Sequence, residues 1–174
     1  DMSTVSPAAT RELSRRLRER DVEMLDAPVS GGSEGAQRGT LSIMVGGEPQ
    51  TLERVRPLLE ELGSTITHVG PSGCGQLAKA MNQVIIAGTY AAVAEGITLG
   101  MKAGLDMTAA VEAVAGGAAG SWVLDNRARN MIAGEYPLGF RTRLHRKDLG
   151  IALAAAREEG GSLPVAAYVE QLET

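Results

Sequence analysis

The chain has 174 residues, of which 44% are hydrophobic, 22% charged and 3% aromatic, with a formal net charge of −4. That length suits about one domain, or two small ones sharing a core, and the composition lies far from the low-hydropathy, high-charge corner where chains stay disordered. Lys and Arg are dispersed along an acidic chain, so there is no basic stripe to neutralise duplex phosphates and no nucleic acid partner is expected; with so few aromatics the core must be aliphatic.

The opening segment DMSTVSP begins with Asp1 and reads as the end of a strand running into a turn, so a fragment is expected. Ser6 followed by Pro7 is a helix start, because the serine oxygen accepts from first-turn amides and proline lacks only an N–H that would be unpaired there. A charged helix over about 7–20 follows. VEMLDAPVS then reads as a strand leading into the glycine-rich SGGSEGAQRG, and LSIMVGG alternates as a second strand. PQTLERVRPLLEELG has helical periodicity, with Pro57 predicting a kink and Gly63 a stop; STITHVG is a third strand.

Beyond Gly75 the pattern changes to alanine-rich segments of helical length, at 75–102, 106–115, 121–133, 144–159 and 164–173. Residues 1–70 therefore read as α/β and 71–174 as an all-helical domain led by a long interdomain helix. The uncharged run 80–94 falls short of the roughly 20 apolar residues that span a bilayer and reads as a core helix, with no membrane partner. Cys74 is the only cysteine, which makes a reducing cytoplasm the default. His68 and His145 have no neighbour at ligand spacing, so no metal site is expected.

Several short motifs carry chemistry, each with a plainer reading beside it. GCGQLA at 73–78 matches G-x-G-x-x-G/A and opens a helix, and Glu95 lies at the spacing of a ribose-binding acid. A dinucleotide fingerprint needs a second strand to present that acid, whereas the intervening residues here are one unbroken helix pattern. It is read as a lookalike whose glycines let the chain pass close to a neighbouring backbone or a ligand.

Lys79 and Asn82, at i and i+3, lie with Gln76 and Gln83 on one narrow polar stripe of an otherwise apolar cylinder. Lys79 is either a snorkelling lysine with its ammonium in water, the reading that spacing alone favours, or an amine desolvated in a cleft and made acidic enough to protonate an alkoxide. Ser30, Gly31 and Gly32 form either an anion-binding nest suited to a carboxylate or a plain hairpin loop. Thr4 in isolation is part of a helix-entry turn, Lys147 and Asp148 in RKDLG a solvated helix face, and Phe140 core; Trp122 is core or interface.

Together DMSTVSP, LDAPVSGGSEGAQRGTLSIMVGG, GCGQLAKAMNQ, GSWVLDN and GFRTRLHRKDLGIAL run the length of the chain. In that order they resemble the β-hydroxyacid dehydrogenases. The resemblance implies the C-terminal part of a Rossmann-like domain followed by an all-α bundle like the C-terminal domain of 6-phosphogluconate dehydrogenase. It implies NAD or NADP as cofactor, a small carboxylate substrate, and a homo-oligomer. It makes Lys79 the general acid/base with Asn82 as its companion, and Ser30, Gly31 and Gly32 the holders of the substrate carboxylate. Thr4 and Lys147 become cofactor contacts, with Phe140 and Asp148 beside the site. The implied reaction is hydride transfer on a short β-hydroxyacid, tartronate semialdehyde foremost and 3-hydroxyisobutyrate as the alternative. From another class, a non-catalytic dimerisation or binding module stands as the rival. Relatives of this kind begin with a Rossmann half carrying G-x-G-x-x-G; no such half is present in these residues, and an exposed sheet edge is the expected consequence.

Overall fold

The computed structural model describes residues 1–137 and 139–174. In chain order the elements are α1 (Pro7–Arg18), β1 (Val29–Ser30), α2 (Gly32–Arg38), β2 (Leu41–Gly46), α3 (Pro49–Glu60), β3 (Gly63–Gly70), α4 (Cys74–Lys102), α5 (Met107–Ala115), α6 (Trp122–Ala133), α7 (Thr142–Glu158) and α8 (Pro164–Leu172). They form two compact units, Asp1–Val84 with Gly139–Thr174, and Ile85–Leu138. The change of pattern at residue 70 predicts a different cut. Compactness sets α7, α8 and the head of α4 with the α/β elements: Gln76 of α4 and Lys147 of α7 bond the Ser3–Val5 segment, Gln83 of α4 bonds Asp148 of α7, and α8 packs on α7.

The first unit is built on a three-stranded sheet in the order β1-β2-β3. β1 runs antiparallel to β2, with Val29 opposite Ile43, and β2 runs parallel to β3, with Ile43 opposite Ile66. A parallel pair cannot be closed by a tight turn, and α3 is the crossover that the topology requires. Alternation in LSIMV puts Leu41, Ile43 and Val45 on the buried side, where they pack with Ala27, Leu52 and Leu59. Ile43 and Val45 are fully buried, and each contributes about 1.5–3 kcal/mol by leaving water.

The strand predicted over VEMLDAPVS is shorter than its pattern. Only Val29–Ser30 forms regular strand, with an isolated bridge between Asp26 and Gly46 upstream. The glycine-rich SGGSEGAQRG is not simply a loop. Its middle folds as α2, capped by Gly39 at φ 64, with Gly35 packed so tightly that an added Cβ would sit 3.1 Å from Leu41 Cδ2. α3 continues through Pro57 to Glu60.

In the second unit the far half of α4 packs with α5 and α6 around Ile97, Leu124 and Ala128. Asp106 and Ser121 cap α5 and α6 through their side-chain oxygens. The reading of α4 as a core helix needs correction here. Ile85 and Leu99 are 59% and 71% exposed, and α4 has 29 residues with an 18-residue window of mean hydropathy 1.5, only 17% buried. By length and composition alone such a helix could cross a bilayer, so the shortness of the run 80–94 is no ground for excluding it.

Candidate active site

The head of α4 shows why its first turns are polar on one side. Gln76, Lys79 and Gln83 are buried at 1%, 8% and 3% exposure, in line with Ala80 and Ala87; the spacing i, i+3, i+7 is one helical face turned inward. A snorkelling Lys79 would hold its side chain along the surface with the ammonium in water, whereas this residue is only 8% exposed. Burial lowers its pKa below the ordinary lysine value; the carboxylate of Asp148 opposes that shift and the positive charge of Lys147 adds to it.

A chain of side chains runs beside this amine. Asn82 Nδ2 donates to Gln83 Oε1 at 2.9 Å, and Gln83 Nε2 donates to Asp148 Oδ2 at 2.7 Å. Lys147 Nζ lies 2.8 Å from Asp148 Oδ1, an ion pair whose angles are not those of a hydrogen bond, which leaves that buried oxygen without one. The same ammonium donates to the Thr4 carbonyl at 2.6 Å. Asp148 is 3% exposed, so the solvated-face reading of RKDLG fails for it, while Lys147 remains half-exposed. Four of the sequence-predicted residues, Thr4, Asn82, Lys147 and Asp148, are therefore linked through Gln83 by hydrogen bonds and an ion pair, and Lys79 lies close enough to feel the charges of Asp148 and Lys147.

Ser30, Gly31 and Gly32 stand apart from that network: among the described residues no hydrogen bond joins them to it. They occupy the end of β1 and the entry to α2, with Gly31 and Gly32 at φ 133 and 62, in left-handed backbone that a side chain would strain. Phe140, expected as core, is 58% exposed and meets the ring of His145 edge-on at 6.1 Å between centroids. His145 is itself buried and bonds Glu173 through Nδ1 at 2.7 Å. Trp122 is 56% exposed and carries the Arg127 guanidinium 4.6 Å above its ring. No cluster of metal-ligating side chains occurs among the described residues.

Asp26 escaped the reading of the sequence. It is fully buried and accepts from Gly73 N at 2.8 Å and Gln76 N at 3.0 Å. Those amides are the ones a pyrophosphate would need at the head of α4. A Cβ on Gly75 would lie 2.5 Å from Asp26 O and 2.6 Å from Met44 O. The glycines of GCGQLA thus admit a neighbouring backbone, and the helix terminus is filled by the protein's own carboxylate. GCGQLA offers no free pyrophosphate cradle, because the Gly73 and Gln76 amides already donate to Asp26; the Thr4 carbonyl and the Lys147 ammonium, bonded to each other, are the polar groups nearest the other end of the segment.

Residues 73–174 match the family model described as NAD-binding of NADP-dependent 3-hydroxyisobutyrate dehydrogenase, and residues 1–70 that of the NAD-binding domain of 6-phosphogluconate dehydrogenase. This chain belongs to the β-hydroxyacid dehydrogenase family. It is 44% identical to 2-hydroxy-3-oxopropionate reductase of Escherichia coli over 172 residues, 99% of this chain and 59% of that protein. It is 38% identical to 3-hydroxyisobutyrate dehydrogenase of Pseudomonas aeruginosa over 183 aligned positions, 99% of this chain and 60% of the relative. Among solved structures, Mycobacterium tuberculosis 3-hydroxyisobutyrate dehydrogenase with L-serine superimposes with a TM-score of 0.91 at 33% identity, covering 99% of this chain and 62% of that one. The dehydrogenase fold is thus that of a Rossmann-type segment followed by helices, as the sequence predicts, and the chain spans about three-fifths of the family members it matches.

Proposed function

We propose that this chain carries the proton-transfer half of an NAD(P)-dependent β-hydroxyacid dehydrogenase, with Lys79 as general acid/base. The observation that supports this most is the buried lysine itself: 8% exposed, with a lowered pKa, in a helix face that alanine would fill at less cost. The nicotinamide, when bound, supplies the hydride. Lys79 Nζ gives a proton to the substrate oxygen during carbonyl reduction and takes it back in the reverse direction. Asn82, tethered by Gln83, orients that oxygen or the amine. Ser30, Gly31 and Gly32 hold the substrate carboxylate on exposed amides of the β1–α2 turn. Thr4 and Lys147 line the nicotinamide side, and Phe140 and Asp148 flank it.

Tartronate semialdehyde is the proposed substrate, supported by the 44% identity to the Escherichia coli reductase; 3-hydroxyisobutyrate is the second reading, supported by the likeness to the Mycobacterium tuberculosis enzyme. The whole protein carrying this chain is assayed on both compounds with NADH, NADPH and their oxidised forms. Preference for tartronate semialdehyde is expected. Turnover on neither compound, with any nicotinamide, overturns the proposal.

We also place the protein in the cytoplasm as a homo-oligomer, with the exposed apolar residues of α4 covered by a second copy and not by lipid. The single cysteine and the apolar side chains at Ile85 and Leu99 support this. Sedimentation that gives a monomer at every concentration would dismiss the oligomer.

A further inference from the structure

We infer that Gln76 is a positioning residue that fixes the segment Ser3–Val5 against the helix bearing Lys79. Long amide side chains are usually exposed and lose up to about 2 kcal/mol of rotamer freedom when held. Gln76 is nonetheless 1% exposed. Both ends of its amide are used: Nε2 donates to the Ser3 carbonyl at 2.8 Å and Oε1 accepts from the Val5 N–H at 3.1 Å. Its own backbone N–H is anchored on Asp26. The Thr4 carbonyl between those two contacts accepts from Lys147. Three consecutive residues of an otherwise irregular segment are thereby bonded to α4 and α7.

Burying an amide with both ends paired costs little, and burying it with either end free costs much. The bonds therefore hold the segment in one place relative to α4. Lys79 lies one turn further along the same face, so Gln76 is the side chain that bonds the segment flanking Thr4 directly to the helix carrying the amine. This inference rests on the proposed roles of Thr4 and Lys79. If those roles hold, Gln76 sets the separation between the hydride-donating ring and the proton donor without touching either.

Two variants of the whole protein, Gln76→Leu and Gln76→Glu, test it. Leucine removes both bonds. Glutamate still accepts from Val5 but meets the Ser3 carbonyl with a second acceptor, and it serves as the reading should the leucine variant fail to fold. Amide hydrogen exchange at Val5 is expected to accelerate about tenfold in Gln76→Leu and to stay near wild type in Gln76→Glu. In both, kcat per folded active site is expected to fall by between about ten- and a hundredfold, the loss that a displacement of about 1 Å produces, with KM for the carboxylate substrate changed far less. Unchanged kcat per folded site in the variants overturns the inference even if their melting temperatures drop, since that is what a packing role alone predicts. Unaltered Val5 exchange in Gln76→Leu overturns the bond on which it stands. Wild-type protein without nicotinamide-dependent turnover instead overturns the function proposed above, and the positioning role with it.

Discussion

Gln83 Nε2 donates to Asp148 Oδ2 across 2.7 Å, joining two buried side chains 65 residues apart. The contact ties α4 to α7 beside Lys79, and it ties the amide that holds Asn82 to the carboxylate that pairs with Lys147. Gln83→Leu is expected to lower unfolding free energy by about 1–3 kcal/mol, because a buried carboxylate oxygen and the Asn82 amide both lose a partner. Urea denaturation measures this. A change within error would mean that water replaces the amide and that the contact is incidental.

The pH dependence follows from the direction of the Lys79 shift. Burial lowers its pKa, so the protonated amine needed for carbonyl reduction is lost as pH rises through a value below that of an ordinary lysine. Reduction should be pH-independent below that value and decline above it; oxidation, which needs the neutral amine, should rise over the same window. Asp148 is the charge that raises this pKa, so Asp148→Asn should move both limbs to lower pH. Profiles of kcat/KM in the two directions decide it, and a shift to higher pH contradicts the arrangement.

Lys79→Met separates chemistry from stability. Turnover should fall by about a hundredfold or more with the loss of the acid/base. The melting temperature at neutral pH should hold or rise, because a charge whose burial is unfavourable has been removed. Retained turnover would remove Lys79 from the mechanism.

Asp26→Ala leaves the Gly73 and Gln76 amides buried without an acceptor. Two such groups together cost about 3 kcal/mol or more. Chemical denaturation should show it, and Asp26→Asn, which keeps an acceptor, should recover part of the loss.

Two glycines of α4 should respond in opposite directions to alanine. At Gly75 the new methyl would meet backbone oxygens of Asp26 and Met44 at 2.5 and 2.6 Å, so Gly75→Ala should prevent normal folding or displace the head of the helix. At Gly96 nothing lies within 4 Å of the added carbon, and Gly96→Ala should stabilise by about 0.5–1 kcal/mol. Thermal melts of the pair, compared with wild type, test both signs.

What could be read from the sequence was largely local. α1, α5 and α6 begin where Ser6, Asp106 and Ser121 place a capping oxygen, and α6 ends at Gly134 in a left-handed turn. The stripe Gln76–Lys79–Gln83 shows its period in the sequence; its burial does not, since a lysine near a helix end is as easily solvated. α2 was obscured because Gly31, Gly32, Gly35 and Gly39 argue against helix individually, and it is the packing of Gly35 on Leu41 that admits the turn. Asp26 gave no signal, because its partners lie 47 and 50 residues further along the chain. Phe140 was misplaced for a related reason: apolarity predicts burial only where another element comes to cover the ring.

β3 has a single neighbour in the sheet among the described residues. Its sequence, GSTITHVG, holds no Lys, Arg, Asp or Glu along its whole length. An outer row of peptide groups unguarded by like-charge repulsion is an open template for strands from other molecules. For these 174 residues by themselves, a lysine at exposed Thr67 would set a like charge along that row and is expected to lessen association between copies.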